Sequence, residues 1–353
     1  MIPIAAPGST ARRWQPLHSV RPKSPVPYPE NAPENAIEAA GLAKTYPKAV
    51  RPALDSVDLA IPRGSLFGLL GPNGAGKSTF INILAGLVVR SGGTARVWGH
   101  DVAAEPRAAR SAIGVVPQEL NLDTFFSPRE MLELQAGLYG VPKAERRTDA
   151  LLAAMGLADK ADAYARTLSG GMRRRLLIAK AMVHSPPVLV LDEPTAGVDV
   201  ELRRGLWAYV RDLNAAGATV LLTTHYLEEA QALCDRIAII DHGRVVACDT
   251  TPALLRRLDS KELRLTLAEE PGALPPPSLA RFAPERTGPR ELLFRYRPSV
   301  TRIADLLEAA RAAGLVIADV STRESDLEDI FLALTQPAGA NAGGGRERRA
   351  GDS

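Results

Sequence analysis

The chain has 353 residues, of which 46% are apolar and 24% are charged, and its formal net charge is only +3. This composition is typical of a soluble globular protein, and so small a charge does not indicate a nucleic-acid-binding protein, whose basic residues form a concentrated face. No apolar stretch approaches the roughly 18 residues that a membrane-spanning helix needs, and residues 1–10 have no signal-peptide pattern, so we expect a cytoplasmic chain that needs a partner for any work in a membrane.

The two ends of the chain have little apolar periodicity. Residues 1–35 are rich in proline, and residues 336–353 contain mostly glycine, alanine and arginine. Because such segments bury too little surface to offset the entropy lost on ordering, we expect a disordered extension at 1–35 and a disordered tail at 336–353. The folded part of the chain is therefore expected between these two segments.

Between the ends, apolar β-forming runs alternate with helical patterns. Residues 65–70 form a short apolar run, and residues 77–87 have apolar side chains at helical spacing. Residues 188–191 form a further run of the kind found in strands that are covered on both faces. A helical stripe follows at 202–213, and residues 219–224 return to a strand pattern. This alternation predicts an α/β fold with a parallel sheet and helices on its faces.

Two other parts of the chain have a different pattern. From about 121 to 170 the apolar residues follow helical spacing only, which predicts a helical insertion in the α/β domain. From residue 260 a strand-like alternation returns and helical stripes follow it, which predicts a small α/β accessory domain at 260–335. The larger domain would then occupy 36–258, with a boundary near 258–262.

The segment GPNGAGKS at residues 71–78 matches the phosphate-loop pattern GxxxxGK[ST]. Glycines allow the backbone to wrap closely around phosphate groups, and the helix that follows presents its positive N-terminal end to them. Lys77 would reach the β- and γ-phosphates of a nucleotide, and the Ser78 hydroxyl would bind Mg²⁺. The nucleotide-binding residues predicted here are Gly71, Pro72, Asn73, Gly74, Ala75, Gly76, Lys77, Ser78 and Thr79.

Asp192 and Glu193 directly follow the apolar run at 188–191. Ligands bind at the carboxyl ends of parallel strands in open α/β sheets, and two adjacent carboxylates at such an end point in different directions. Asp192 would hold Mg²⁺ through water, and Glu193 would face an attacking water molecule. Two solvated loop charges would give the same pattern, but a phosphate loop in the same chain favours the catalytic interpretation.

A phosphate loop by itself is compatible with kinases, GTPases, helicases and transport ATPases. The segment LSGGM at 168–172 resembles the signature motif of the ABC ATPases, and the other motifs of that family occur in the family's order. The resemblance is specific and covers about residues 38–250. The residues at matching positions are Tyr46 at the adenine, Gln118 in the Q-loop, Ser169, Gly170 and Gly171 in the signature, Asp199 in the D-loop and His225 at the switch histidine.

The resemblance implies the P-loop NTPase fold of an ABC ATPase and a role for each of these residues. Glu193 resembles the general base that polarises the attacking water, His225 the γ-phosphate sensor, and Gln118 the residue that contacts both Mg²⁺ and water. Tyr46 would stack on adenine, with a core tyrosine as the alternative. Catalysis of ATP hydrolysis would consist of positioning and charge stabilisation. The expected Mg²⁺ ligands are Ser78, Gln118 and Asp192.

The signature also implies a dimer. Ser169 is a favourable N-cap, and the two glycines after it expose backbone N–H groups at a helix start, which suits an anion. In the family this site binds the ATP that a second ATPase holds on its phosphate loop. We therefore expect a head-to-tail homodimer, or a pair of related ATPases, with Asp199 acting across it. Read alone, Ser-Gly-Gly is also typical of a simple capped turn.

The residues after the signature glycines depart from the commonest family pattern. Met172 stands where many members have glutamine, but the phosphate-facing Ser169 and Gly171 are present, so we expect activity. Three arginines follow at 173–175. Phosphate contacts are one interpretation of these arginines, and a solvated helix face is the one we favour.

The second half of the chain resembles the ATPases of drug, polysaccharide and nodulation-factor exporters. The matching segments are 191–204, THYLEEA at 224–230 and SDLEDIFL at 325–332. In that group, two ATPase copies drive a separate permease with about six spans per chain, each of roughly 20 residues. The resemblance implies a peripheral protein at the cytoplasmic face of the cell membrane that powers export and has no nucleic-acid partner. Residues 260–335 lack the many short strands of the barrel in sugar-importer ATPases, which disfavours import.

Two other functions share parts of this pattern. A soluble ABC ATPase acting on ribosomes or DNA would be expected to have two cassettes, long coiled coils or zinc-binding cysteines, whereas this chain has one phosphate loop and two isolated cysteines. A non-hydrolysing nucleotide sensor would be expected to lack catalytic side chains, and this chain has them. We therefore favour an ATP-hydrolysing transport subunit.

Phe125 and Phe126 lie just after the Q-loop, where the helical region of the family meets the permease. We predict that these two rings couple the ATPase to the permease. The alternative is that both rings pack inside the helical region.

Overall fold

The structure is a computed structural model that describes residues 32–195, 200–257, 259–272, 279–324 and 326–335. Up to residue 192 its elements are β1 (Asn35–Lys44), β2 (Leu54–Pro62), β3 (Leu66–Leu70), α1 (Lys77–Leu84), β4 (Gly92–Val97), β5 (His100–Asp101), α2 (Pro106–Ser111), β6 (Ile113–Val116), α3 (Pro128–Leu138), α4 (Thr148–Ala154), α5 (Gly170–Ala181) and β7 (Val188–Asp192). From residue 200 they are α6 (Val200–Ala215), β8 (Thr219–Thr223), α7 (Leu227–Leu233), β9 (Arg236–Asp241), β10 (Arg244–Thr250), α8 (Thr251–Arg257), β11 (Lys261–Leu267), β12 (Glu285–Gly288), β13 (Glu291–Tyr296), α9 (Ile303–Ala312), β14 (Ile317–Glu324) and α10 (Leu327–Thr335). Short 3₁₀ turns occur at Lys143–Glu145, Ala158–Lys160, Ala165–Thr167 and Ala280–Phe282.

The described residues form two compact units. The first contains the residues up to 69 together with 76–224 and 242–244, and the second contains 70–75, 225–241 and the residues from 245 onward. The domain bounds expected from the sequence remain a prediction, and the expected disordered segments lie almost wholly outside the described residues. Among the helices described, none is both long and apolar enough to span a membrane.

A parallel sheet forms the core of the first unit, with strands in the order β3, β8, β7, β6. All residues of β7 and β8 are buried, which explains why both strands are almost continuous apolar runs. Leu189 pairs with Val220, and Asp192 pairs with Thr223 at the carboxyl end of each strand. The predicted α/β fold with a parallel sheet is confirmed, and its register brings two polar strand ends together.

A second sheet in the first unit is antiparallel, in the order β2, β1, β4, β5. Ile37 of β1 pairs with Ile61 of β2 and with Val97 of β4, and all three side chains are fully buried. Exposed residues alternate with buried ones along β2, as in a sheet that covers a core with one face. Strand β1 ends at Lys44, two residues before Tyr46, and so positions the residue expected at the adenine.

Three helices, α3, α4 and α5, occupy the first unit between β6 and β7. Helix α3 begins at Pro128 because Ser127 and Glu130 form a capping box, in which each side chain accepts a hydrogen bond from the other residue's backbone N–H. Arg129 then joins α3 to its neighbours by donating to Asp149 at 2.6 Å and to Asp162 at 2.8 Å. These contacts hold the short helices together where long-range strand pairing is missing.

The second unit contains an antiparallel sheet in the order β12, β13, β11, β14. Leu265 and Phe294 on one face of this sheet are fully buried and belong to a core that includes Leu306 and Ala310 of α9. Helix α10 packs against α7 and α8, and its first backbone N–H donates to Gln231 Oε1 at 3.0 Å. The alternation of leucines along β11 therefore reflects a sheet with a helix on one face.

Candidate active site

Thr223 at the end of β8 contacts both residues that follow the apolar core of β7. Its hydroxyl donates to Asp192 Oδ1 and accepts a hydrogen bond of 3.1 Å from the backbone N–H of Glu193. Thr223 is fully buried and Asp192 is only 8% exposed. The threonine hydroxyl therefore satisfies a carboxylate oxygen that has little access to water.

Glu193 has a left-handed backbone with φ of +48°. Outside glycine this conformation is uncommon and costs roughly 1–2 kcal/mol, and it turns the chain sharply at the end of β7. Glu193 Oε2 accepts a hydrogen bond of 3.0 Å from Gln118 Nε2. Two of the residues predicted to act on the attacking water, Gln118 and Glu193, are therefore in direct contact.

Lys77 and Ser78 are the first residues of helix α1. Lys77 is 8% exposed; burial lowers the pKa of its ammonium group, and the negative charges of Glu193 and Asp192 act in the opposite direction. Ser78 Oγ lies 3.5 Å from Asp192 Oδ2. The lysine charge is thus held close to the two carboxylates that a nucleotide site needs.

The oxygen atoms of Ser78 and Asp192 suit Mg²⁺, which is commonly bound by one or two carboxylates together with substrate phosphates. The third expected ligand, Gln118, donates its amide to Glu193. Across the residues described, no three histidine, cysteine, aspartate or glutamate side chains form a metal-binding group. The oxygen atoms of Ser78 and Asp192, 3.5 Å apart, fit a metal that arrives with nucleotide phosphates.

Two glycines of the expected phosphate loop have no room for a side chain. In the first unit, Gly76 has φ of +111°, and a Cβ atom there would lie 2.4 Å from Ala53 O. In the second unit, a Cβ atom on Gly71 would lie 2.2 Å from Ile240 O. Backbone packing therefore requires glycine at both positions. Phosphate binding by the loop, whose residues 71–75 and 76–79 fall in different units, stays a prediction.

Tyr46 lies at the surface, so the alternative interpretation as a core tyrosine is wrong. Its side chain is 38% exposed, and its hydroxyl lies 3.4 Å from Thr79 Oγ1 in the first turn of α1. Lys44 Nζ lies 4.9 Å from the centroid of the Tyr46 ring. An exposed ring beside the helix that follows the phosphate loop suits stacking on adenine.

Ser169 forms the N-cap of helix α5. Its Oγ accepts a hydrogen bond of 3.3 Å from the Met172 N–H, and Ser169 and Gly170 are exposed. Since the first N–H groups of a helix have no partners within the helix, this exposed end suits an anion.

Two other predicted site residues are not part of the groups described so far. His225 is in the second unit with its ring centroid 4.0 Å from that of Tyr226, and Asp199 lies outside the described residues.

The expectation of a solvated arginine face on α5 is wrong. Arg174 is 5% exposed, and its guanidinium donates to the main-chain oxygens of Pro117 and Gln118, each at 2.8 Å. Arg173 donates to the main-chain oxygen of Leu168 at 3.1 Å, and Arg175 donates to that of Met155 at 2.5 Å. All three guanidinium groups therefore bind backbone carbonyl groups.

Two residues that shape this site were not predicted. Thr223 offered a usable signal, because it ends an apolar strand and a hydroxyl at such an end can reach a carboxylate on the neighbouring strand. Arg174 offered none, because its acceptors lie 57 and 56 residues earlier in the chain.

Comparisons with known proteins identify the family of the chain. A protein family described as ABC transporter matches residues 54–196. The daunorubicin/doxorubicin resistance ATP-binding protein DrrA of Streptomyces peucetius is 44% identical over 310 residues, with 86% of this chain and 93% of that protein covered. The Nod factor export ATP-binding protein I of Ralstonia nicotianae is 38% identical, with 85% and 93% covered.

Solved structures are similar over the larger part of the chain. An ATP-binding subunit of an ABC transporter has 31% sequence identity and a TM-score of 0.59, with 63% of this chain and 92% of that chain covered. A dimeric ATP-binding cassette in a post-hydrolysis state with ADP and Pi has 28% identity and a TM-score of 0.56, with 61% and 98% covered.

Thr223→Val is expected to lower the free energy of unfolding by about 1–3 kcal/mol, because it leaves a buried carboxylate oxygen of Asp192 and the Glu193 N–H with one partner fewer. Valine has almost the same shape as threonine, so packing is conserved. Urea unfolding of the whole chain measures the change. Thr94→Val, at an exposed position of strand β4, is the matched control and should change stability by less than about 0.5 kcal/mol. Equal stability of both variants would contradict the role given to the Thr223 hydroxyl.

Proposed function

The chain belongs to the ABC transporter family as an ATP-binding, ATP-hydrolysing subunit, and from this we propose that it pairs head to tail with a second copy, holds ATP and Mg²⁺ between the copies, and powers export by a separate membrane permease. The observation that carries the proposal is the contact between Gln118 and Glu193 beside Asp192 and Lys77. These groups lie where ligands bind in a parallel α/β sheet. The protein would work at the cytoplasmic face of the membrane, attached through the permease.

Each charged group has a distinct task in the proposed reaction. Lys77 neutralises negative charge on the β- and γ-phosphates, and Ser78 and Asp192 hold Mg²⁺, which supplies further positive charge when it is bound. Glu193 orients the attacking water and accepts its proton, while the Gln118 amide fixes the glutamate carboxylate. Because phosphoryl transfer needs little covalent help from the protein, this positioning supplies most of the catalysis.

The exposed start of α5 supports the proposed dimer. Ser169 and Gly170 are exposed at this helix start, where the first N–H groups have no partner within the helix and favour a negatively charged ligand. A similar ATP-binding cassette was solved as a dimer with ADP and Pi. We propose that Ser169, Gly170 and Gly171 of one copy bind the γ-phosphate of the ATP held by the other copy.

Export is the transport direction that the relatives favour. The names of the similar proteins describe daunorubicin/doxorubicin resistance in Streptomyces peucetius and Nod factor export in Ralstonia nicotianae. In both comparisons the match extends over 93% of the relative, so it includes the part of each protein that follows the ATPase fold. We propose an exporter on this basis, with a substrate that contacts the permease and not this chain.

Exposed apolar side chains in the helical region form the proposed permease surface. Phe125 is 75% exposed, so the interpretation that both rings pack inside this region is wrong, and Phe126 is 38% exposed. Leu134 and Leu138 on α3 are 54% and 75% exposed, and their spacing of four residues places them on one helix face. Neighbouring exposed apolar residues are typical of protein interaction sites.

The first unit also contains a cleft of about 270 Å³, to which Gln135 of α3 contributes. Its walls include Leu87, Pro117, Gln135 and Tyr139. Leu87 is 76% exposed, so an accessible apolar side chain lines this partly polar cleft. A short amphipathic helix from a permease would fit such a groove by placing one apolar face into it. Because Pro117 precedes Gln118, an occupant of the cleft would lie beside the segment that contacts Glu193.

Glu193→Gln is the substitution that tests the proposed chemistry. Glutamine retains an oxygen that accepts from Gln118 but is not basic, so we expect ATP binding to persist and hydrolysis to fall by about 100-fold or more. Phosphate release and nucleotide binding measure the two effects separately. The exposed Glu145→Gln is the control and should hydrolyse ATP normally. Ordinary turnover in Glu193→Gln would disprove the general-base role.

The same Glu193→Gln variant identifies the partners, because a subunit that binds ATP without hydrolysing it should remain dimeric. We expect the tagged variant, purified with ATP from detergent-solubilised membranes, to carry a polytopic membrane protein in equal amount, as identified by mass spectrometry. Without nucleotide, recovery of this membrane protein should be lost or strongly reduced. Recovery of ribosomal or DNA-repair proteins with no membrane protein would leave the ATPase assignment intact and reject the transport role.

Phe125→Ala is expected to weaken association with that membrane partner by about 30-fold, since truncation of an aromatic residue central to an interface commonly costs about 2 kcal/mol. ATP hydrolysis by the isolated subunit should not change, because Phe125 is exposed and contacts no active-site group described above. Val300→Ala, an equally exposed apolar residue in the second unit, is the control. Normal association of Phe125→Ala, or loss of its fold, would contradict the proposed surface.

A further inference from the structure

Arg174 is a buried charge that has no assigned task in ATP hydrolysis. It lies in the second turn of α5 and is 5% exposed. Burial lowers the pKa of its guanidinium, and the negative charge of Asp192 acts in the opposite direction. Burying a charge is unfavourable unless the group is fully hydrogen-bonded, so the partners of this arginine indicate why the structure retains it.

The two partners are consecutive carbonyl groups of the Q-loop segment. Arg174 Nη1 donates to Pro117 O and Nη2 donates to Gln118 O, both at 2.8 Å. A planar guanidinium with two fixed donors holds both peptide groups in one orientation. The Gln118 side chain that extends from this fixed backbone then donates to Glu193 at 3.0 Å. Arg174 is therefore one residue removed from the general base.

The surroundings of the Q-loop segment increase its dependence on this arginine. Strand β6 ends at Val116 and α3 begins at Pro128, so the residues between them have no regular hydrogen-bond ladder. Residues 118–121 are exposed, and Pro117 lines the open cleft described above. A segment with so little packing gains most of its order from a few strong bonds, and the arginine supplies two of them.

The same helix begins at the signature. Ser169 caps α5, and five residues separate it from Arg174, which corresponds to a rise of about 7.5 Å within a rigid helix. In the proposed dimer, the Ser169 end contacts the ATP of the second copy. If α5 shifts when its start binds that ATP, Arg174 moves with the helix, together with the two carbonyl groups that it binds.

We infer that Arg174 is a positioning residue that couples the two ATP sites of the dimer: when the signature of one copy binds the second copy's ATP, Arg174 places Gln118 correctly on Glu193 of its own copy. This inference rests on the proposed dimer. Each copy contacts one ATP with its signature and hydrolyses the other ATP. Under this inference, helix α5 connects these two sites within the copy.

Arg174→Lys tests the inference in the full-length protein. Lysine keeps the charge on a flexible chain of similar size, but a single ammonium does not hold two carbonyl groups in a fixed fork. We expect turnover to fall by about 10-fold to 100-fold, as for a small displacement of catalytic groups, while the affinity for ATP stays unchanged. Arg146→Lys is the matched control, because its guanidinium also binds a backbone carbonyl in the helical region, that of Val141, and it should retain normal turnover.

Mixed dimers separate positioning from general damage to α5. In the first arrangement, one copy carries Arg174→Lys and the other carries Glu193→Gln, so the only intact general base is in the copy whose Gln118 is not held. In the second arrangement, one copy carries both substitutions and the other is unchanged, so the intact base lies with an intact arginine. The reference is a dimer with Glu193→Gln in one copy alone. Tandem purification with two tags isolates each dimer, and single-turnover hydrolysis is measured.

The inference predicts a low rate in the first arrangement and a rate close to the reference in the second. Equal hydrolysis rates in the two arrangements would overturn the inference, and so would an equal loss of rate in both. Both arrangements contain the same substitutions, so a folding defect would affect them alike. A low rate in the second arrangement alone would also overturn it and would place the role of Arg174 at the signature. If the reference dimer does not form with ATP, the proposed function fails as well, which is a distinguishable result.

Discussion

The active site depends on the parallel pairing of β7 and β8. In this register Asp192 lies opposite Thr223, and the threonine hydroxyl binds both Asp192 and the backbone of Glu193. A shift of one residue would separate these groups and leave a buried carboxylate oxygen without its partner, at a cost of about 1–3 kcal/mol. The apolar residues of both strands oppose such a shift because they are buried throughout. The same packing that stabilises the sheet therefore determines where the carboxylates lie.

Arginine side chains perform a comparable task in the helical region. The helices there are short, with seven residues in α4, and helix ends leave carbonyl groups without intrahelical partners. Arg146 donates to Val141 O at 3.1 Å and to Glu133 at 2.6 Å, and Arg175 donates to Met155 O after α4. Guanidinium groups thus satisfy irregular backbone in a part of the chain that has no sheet. Arg174 differs from the others because the backbone that it binds carries a catalytic side chain.

The sequence predicted those parts of the protein that depend on local pattern. The parallel sheet followed from apolar runs such as 188–191, and the site at its edge followed from Asp192, Glu193 and a glycine-rich loop. Thr223 was missed although it ends an apolar strand, because its importance depends on which strand lies beside it in the sheet. The burial of Arg174 was missed for a related reason, since the sequence around it is rich in arginine and its acceptors come from a distant segment. Patterns within one helix do not reveal which face another loop covers.

The left-handed backbone of Glu193 creates a conflict between the stability of the fold and catalytic activity. The conformation at φ of +48° is one that glycine adopts without penalty, so replacement by glycine would remove local strain of roughly 1 kcal/mol or more. The same replacement would delete the carboxylate on which the proposed reaction depends. A laboratory selection for heat resistance alone would therefore tend to favour inactive proteins at this position, in the way that strained functional residues commonly limit stability. Screens for robust forms of this ATPase would need to select for turnover at the same time.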